Sequence, residues 1–294
     1  FLKRSVFAGT VLSQPVKQLF ADSIPAKPKR PNVLLIFADQ QHWKAQGFKD
    51  FFFDTPNQDK LAKKSVVFER VFCSTPQCSP SRSSMMTGFY PSTTRVMGNM
   101  GAAGGNPLDQ YTIGKELQGA GYQTGYFGKW HLGNKSSACA GWDRREFKRD
   151  DLRAEKNAVG FLEKINSEKP FALFVSFNNP HDIYYYRRHK PETKLDEVSL
   201  PGSWEKETFE NKPPVQEKFM TEDQGKVIVN KPRKQWQKYR DCYRSKNKLY
   251  DDNVGAVIDE LKRQGQMENT IIIVTSDHGD MDAQHKLIYK GPFM

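Results

Sequence analysis

Four cysteines in 294 residues are too few to staple a chain of this size, which excludes a disulfide framework as its organising device. Cys78 sits in a motif of its own. Among Cys73, Cys139 and Cys242 at most one bridge can form, and all three are expected as small buried hydrophobes. No apolar stretch reaches the ~20 residues that span a bilayer, so stable membrane insertion is not expected. Acids are scarce too: 34 Asp and Glu face 45 Lys and Arg, a net charge of +11. That surplus is uneven. Lys3, Arg4, Lys17, Lys27, Lys29 and Arg30 against Asp22 leave +5 in residues 1–30, hence +6 (11 minus 5) for the remainder. A second basic run, residues 231–248, sets eight Lys or Arg against Asp241. It reads as a solvated helix face or as a rim that attracts a polyanionic substrate. No recognised nucleic-acid module accompanies the charge, so a nucleic-acid partner is not expected.

What the chain does have is an alternation of apolar runs with helical stretches, long enough to bury a sizeable core. That is the pattern of an α/β unit with a mostly parallel central sheet flanked by helices. Strands are expected near 32–38, 66–72, 123–127, 171–177 and 270–275. Helices are expected near 56–63, 112–120, 151–166 and 234–264, and another opens at Cys78. Thr55 is a capping candidate ahead of Pro56 in the first turn. The apolar run from Val33 ends on Asp39, and the β-branched run from Thr270 to Thr275 ends in Ser276-Asp277-His278-Gly279. Ligands of open α/β sheets collect at such strand ends, and carboxylates there are hard donors suited to Ca²⁺ or Mg²⁺. Taken singly, either Asp would serve as well as a cap or turn residue. Residues 182–233, rich in Lys, Glu and Pro with little periodicity, read as a long excursion over the active-site face.

The most informative stretch is Cys78-Ser79-Pro80-Ser81-Arg82-Ser83-Ser84-Met85-Met86-Thr87-Gly88. Read bare, it offers a thiol whose pKa a nearby guanidinium lowers, at a helix start that favours negative charge. The pattern Cys-x-Pro-x-Arg followed by Thr-Gly resembles the signature of the type I, formylglycine-dependent sulfatases of the alkaline phosphatase-like superfamily. Gly121-Tyr122-Gln123-Thr124-Gly125-Tyr126-Phe127-Gly128-Lys129-Trp130-His131-Leu132-Gly133 resembles the family's second signature, and Thr55 to Ala62 its first helix start.

The resemblance implies an activity and a set of roles. Cys78 would be oxidised by a formylglycine-generating enzyme to formylglycine, whose hydrate is the nucleophile. Asp39, Gln40, Asp277, His278 and the modified Cys78 would hold one divalent cation. Gln40 stands where many members have a second Asp, and His278 where they have Asn or His. Ca²⁺ is the first expectation, with Mg²⁺, Mn²⁺ or Zn²⁺ as alternatives. Lys129 and Lys290 match the sulfate-binding lysines, and Arg82 would hold the hydrated aldehyde. His131 would contact the formylglycine, and His181, in Pro180-His181, would protonate the leaving oxygen. Asn99 and His285 are either substrate contacts or structural residues. The implied reaction is hydrolysis of a sulfate ester, on a sulfated small molecule or polysaccharide. The alternative is a phosphonate monoester or phosphodiester hydrolase on the same scaffold, where the Gln and His combination also occurs.

The two ends carry expectations of their own. Phe1-Leu2-Lys3-Arg4, the mildly apolar residues 5–13 and the small Ala21 and Ala26 resemble the back half of a twin-arginine export signal, against a bare basic linker as the other reading. Residues 1–26 are taken as that remnant and linker, implying a periplasmic or secreted protein. Residues 27–294 are taken as a sulfatase catalytic domain that is truncated at its C-terminus, since Lys290-Gly291-Pro292-Phe293-Met294 stops inside a family motif.

Overall fold

Strand β1 (Asn32–Asp39) runs through the middle of the molecule because its residues are apolar on both sides. In the computed structural model, which describes residues 30–166 and 168–291, β1 is followed by α1 (Pro56–Ala62), α2 (Cys78–Thr87), α3 (Pro91–Thr94) and α4 (Ile113–Gly119). Next come β2 (Gln123–Gly128), α5 (Ser136–Cys139), β3 (Arg144–Glu146), α6 (Asp151–Leu162) and β4 (Phe171–Pro180). Then follow α7 (Gly202–Lys206), α8 (Pro214–Glu222), α9 (Arg233–Arg263) and β5 (Thr270–Ser276). The expected export segment, residues 1–26, lies outside the described residues. No helix among the described residues is long and apolar enough to cross a membrane.

The five strands lie in the order β3-β2-β4-β1-β5, and every pairing is parallel. Register follows side-chain periodicity. Leu34 lies opposite Leu173 and Ile272, and Ile36 opposite Val175 and Val274. These residues face α6 and α9 and bury against Phe161, Tyr250, Val254 and Leu261. The alternate residues Phe37, Phe174 and Tyr126 face the other way, onto Met86, Trp130 and Trp142. A strand with an apolar layer on each face reads as a continuous hydrophobic run, and all ten residues of β4 are buried.

Helix α9 serves two cores. Its C-terminal half packs under the sheet. Its N-terminal half presents Trp236, Tyr239, Cys242 and Tyr243 to a second core with Ile183, Phe219, Met220, Leu287 and Tyr289. The stretch 182–233, expected as an irregular excursion, therefore holds short helices, among them the 3₁₀ turn His181–Arg188, α7 and α8, around an apolar centre of its own. Its large side chains are irregularly spaced, which hides this core from any periodic pattern.

Other expectations change as well. Residues 66–72 form no strand, and Val66, Phe68 and Phe72 are exposed. Their β-branched character fits a pleated surface, but the ladder needs a neighbouring backbone, and the paired strands lie elsewhere. The short charged β3 pairs with β2 instead and was not expected. Helix α6 stops at Leu162, short of 166. Thr55 makes no capping bond; its hydroxyl accepts from Gly47 N at 2.7 Å and donates to Asp59 Oδ1 at 2.9 Å. All four cysteines are free thiols, with Cys139 and Cys242 buried as expected and Cys73 exposed against expectation, on the same unpaired stretch. Most of the basic run 231–248 lies along α9, where Arg233, Lys234, Arg244 and Lys248 pair with acids at or near the surface, while Arg240 is buried and pairs with Asp282.

Candidate active site

The carboxyl ends of the parallel strands deliver the site. Asp39 ends β1, Asp277 follows β5, His181 follows β4, and Lys129 follows β2. Lys129 reaches it through Gly128, whose φ of 106° is open to glycine; an added Cβ there would meet Ser176 O at 1.9 Å. Cys78 is the first residue of α2 and is 1% exposed. Asn99 Oδ1 accepts from Ser79 N at 3.0 Å and so caps the start of α2 beside Cys78. Gly88 closes the helix in the left-handed conformation, its N–H on Ser84 O at 2.8 Å.

Around the Cys78 sulfur the polar groups converge. Lys290 Nζ lies 3.0 Å from Sγ, His278 Nε2 3.3 Å, Asp39 Oδ1 3.5 Å and Lys129 Nζ 3.7 Å. Arg82, one turn along α2, spreads its guanidinium beneath them. Nη2 donates to Asp39 Oδ2 at 2.9 Å and Nε to Asp277 Oδ2 at 2.7 Å. Nη1 donates to Ser176 Oγ at 2.8 Å and to the Lys129 carbonyl. Lys129 Nζ sits 2.6 Å from Asp39 Oδ2. His181 Nε2 is 4.0 Å from Asp39 Oδ1. Cys78 bears on His131 and His181, favouring their charged forms, and His131 Nδ1 is buried without a hydrogen-bond partner.

These neighbours set the protonation states. Burial alone would push Asp39 up, but Lys129, His181, Lys290 and Arg82 together hold it well below the usual carboxylate range. Burial, then Asp39 beside it, raises Asp277 to about 6. Burial and Asp39 oppose ionisation of Cys78, and Lys290, His278 and Lys129 outweigh them, so the thiol pKa falls well below 9.0. Burial lowers both His131 and His181. Lys290 is raised despite its burial because Cys78 and Asp39 face it.

The donor set fits a divalent cation. Asp39, Cys78, Asp277 and His278 are all buried, and one ligand atom from each lies within 4.8 Å of the others. His278 Nδ1 donates to the Gly279 carbonyl at 3.0 Å, which turns the Nε2 lone pair toward Sγ. Burial disfavours a charged His278, yet Asp277 raises its pKa; a cation on Nε2 would take that proton's place. If position 78 carries a hydrated aldehyde, Sγ stands in for one of its oxygens. The set then becomes three oxygens and one nitrogen, suited to a hard ion.

Gln40, the remaining expected metal ligand, lies beside this set and makes contacts with Lys290 and Asp280. Its Oε1 accepts from Lys290 Nζ at 2.7 Å, and its Nε2 donates to Asp280 Oδ2 at 2.7 Å. Its backbone is left-handed, φ 76°, as is that of His131, φ 59°. Such strain in a non-glycine residue persists where the surroundings over-determine it. Here Gln40 N donates to Asp277 Oδ1 at 3.1 Å, and Tyr243 Oη donates to Gln40 O at 2.6 Å. Sequence reasoning missed Asp280, which also accepts from Tyr239 Oη at 2.8 Å, and Ser176, which supports Arg82. Asp280 follows Asp277-His278-Gly279 directly, and that adjacency was the available signal. His285 stays away from the sulfur; its Nδ1 pairs with Glu207 at 3.1 Å and its N–H with Ser203 Oγ at 3.1 Å.

Comparison with known proteins agrees with this geometry. The profile of the family described as Sulfatase matches residues 31–291. The chain is 29% identical to a choline-sulfatase of Rhizobium meliloti, over 90% of this chain and 60% of that protein. It is 25% identical to an N-acetylglucosamine-6-O-sulfatase of Bacteroides thetaiotaomicron, over 87% and 59% respectively. The crystal structure of a phosphonate monoester hydrolase of Agrobacterium radiobacter superposes with a TM-score of 0.71 at 22% identity, over 90% of this chain and 66% of that one. The chain spans about three-fifths of the length of these curated relatives. With the matched residues running from the start of β1 to the segment that carries Lys290, the chain belongs to the sulfatase family, on the alkaline phosphatase-like fold.

Proposed function

We propose that this chain carries the catalytic centre of an enzyme that hydrolyses a sulfate ester of a carbohydrate, with Cys78 as the precursor of its formylglycine nucleophile. The observation that carries the reading is the Cys78 sulfur at the start of α2, ringed by Lys290, His278, Asp39 and Lys129. A formylglycine at position 78 would supply a hydrate with two hydroxyls, one to attack sulfur and one to expel sulfate afterwards. A divalent cation, Ca²⁺ first and Mg²⁺ or Mn²⁺ next, would supply positive charge opposite the ester oxygens and be held by Asp39, Asp277, His278 and position 78.

The chain's own residues do the rest. A sulfate ester repels an anionic nucleophile, and Lys129 and Lys290 offset that repulsion by pairing with the ester's non-bridging oxygens. Arg82 neutralises Asp39 and Asp277, so the two carboxylates remain close without forcing a proton between them. His181 hands its proton to the departing alcohol oxygen, and His131, on the other histidine position beside the thiol, takes the proton from the second hydroxyl. The relatives named for sulfated sugar and for choline support the sulfate ester class, and the former supports the carbohydrate.

The neutral Gln40 favours one other reading, a phosphonate monoester or phosphodiester hydrolase, because it leaves the site with fewer carboxylates. A full-length protein co-expressed with a formylglycine-generating enzyme separates the two. It should turn over 4-nitrophenyl sulfate faster than bis(4-nitrophenyl) phosphate or 4-nitrophenyl phenylphosphonate, and peptide mass analysis should show loss of the thiol at Cys78. A preference for the phosphorus esters, or activity with Cys78 unmodified, would reject the proposal.

A further inference from the structure

We infer that Tyr184 is a positioning residue that sets the orientation of the His181 ring toward the leaving oxygen; the inference rests on the sulfatase reading above. The segment that follows β4 is the 3₁₀ turn His181–Arg188. Three residues per turn bring positions i and i+3 into line, so its side chains divide into stripes. Ile183 and Tyr186 form the inner stripe, buried in the second core. Tyr185 turns outward, 61% exposed. His181 and Tyr184 share a third stripe, and their ring centroids lie 5.0 Å apart with the planes tilted by 38°.

A proton donor needs direction as well as charge. Asp39 Oδ1, 4.0 Å from His181 Nε2, supplies charge but lies beyond hydrogen-bond reach. Ring packing supplies the direction: the tilted plane of Tyr184 limits how the imidazole can turn. Tyr184 is itself backed by Tyr289, with ring centroids 4.1 Å apart and planes within 12° of parallel. Tyr289 is buried, and its N–H donates to Tyr239 Oη at 3.0 Å, so the stack stands on a fixed support. Lys290 comes next in the chain and places Nζ 5.8 Å from the centre of the Tyr184 ring. One aromatic ring therefore neighbours both the proton donor and a lysine assigned to the sulfate. The phenol hydroxyl adds little, since it donates to Gln224 Oε1 at 3.4 Å, a long bond at the surface. What matters is the ring.

When the S–O bond to the alcohol breaks, its electron pair goes to the leaving oxygen and His181 delivers a proton there. Nitrophenolate spreads that charge over its ring and departs without the proton, whereas a more basic phenolate needs it. The test is therefore how kcat/KM depends on leaving-group basicity, measured on the full-length, matured protein with 4-nitrophenyl, 4-chlorophenyl, phenyl and 4-methoxyphenyl sulfates. In Tyr184→Leu, 4-methoxyphenyl sulfate should lose tenfold or more. 4-Nitrophenyl sulfate should lose threefold or less, the uniform share that comes through Lys290. The slope against leaving-group basicity thus steepens toward that of His181→Gln. Tyr184→Phe should keep the wild-type slope, and Tyr184→Leu added to His181→Gln should steepen it no further. Tyr184→Met retains more of the bulk and carries the test if Tyr184→Leu does not fold. An equal loss on every ester would overturn the inference and leave Tyr184 a structural support, as would a Tyr184→Phe slope as steep as that of Tyr184→Leu. A His181→Gln slope equal to wild type would overturn the proton-donor role, and failure to cleave any of these esters the sulfatase reading itself, each taking the inference with it.

Discussion

Replacing Lys290 by Met keeps most of the side chain's bulk and removes the cation nearest the reacting position. Its Nζ lies 3.0 Å from the Cys78 sulfur and 2.7 Å from Gln40 Oε1, on a side chain 7% exposed. Two unit charges 3.0 Å apart interact by 332/(20 × 3.0), ~5.5 kcal/mol, at an effective dielectric of about 20. Bond breaking moves only part of a charge onto the sulfate oxygens. At roughly half a charge the lost stabilisation is ~2.5 kcal/mol, or about 70-fold in rate. That sits at the lower edge of what losing one oxyanion donor costs. Steady-state kinetics on 4-nitrophenyl sulfate should therefore show kcat and kcat/KM falling together by about 50- to 100-fold, with KM little changed. Gln40 Oε1 loses its donor as well, so the melting temperature should drop by an amount matching ~1–3 kcal/mol while the transition stays cooperative. A kcat within threefold of wild type, with only KM raised, would refute the reasoning and make Lys290 a peripheral charge.

Arg82→Met strands two fully buried carboxylates, a loss of ~3–5 kcal/mol; thermal denaturation should show a fall of roughly 10 °C, and a change under 2 °C would contradict the pairing. The proposed role of His181 requires its protonated form, and burial sets its pKa below 6.5, so kcat should decline as pH rises through that lowered value, and His181→Gln should flatten the alkaline limb. Chelation should destabilise the protein and Ca²⁺ at a hundredfold excess over its Kd should restore ~2.7 kcal/mol; a melt indifferent to chelator and to Ca²⁺ would mean that Asp39, Asp277 and His278 hold no ion.

The sequence disclosed the parts of the site that depend on strand ends and on the motif around Cys78. An apolar run such as 33–38 is buried on both faces, leaving one place for Asp39 to emerge. Asp277 follows β5, an edge strand with Ile271 and Ile273 half exposed, and it was legible from the β-branched run and its place at that strand's carboxyl end. Gln40 was harder, because an amide can serve a metal, a lysine or an acid equally, and only the folded chain brings Lys290 and Asp280 to it. Asp280 is in plain view beside Asp277, but its partner Tyr239 comes from α9, 41 positions away. The run 66–72 misled because strand propensity states what a segment tolerates, and says nothing about which backbone will lie alongside it. The second core was invisible for a related reason: Phe219, Trp236 and Tyr289 share no period, and only tertiary structure collects them.

Helix α9 has 31 residues, about 46 Å of continuous rod. Exchanging the stretch between β4 and α9 means splicing onto that rod. Tyr239 and Tyr243 project from its first half, and their hydroxyls grip Asp280 and the Gln40 carbonyl. A graft that shifted the rod along its axis would drag both hydroxyls with it, and through Gln40 would misalign Lys290. The safe seams are therefore the turns outside residues 233–263, and a donor segment has to reproduce the seat for Trp236 that keeps the rod in register.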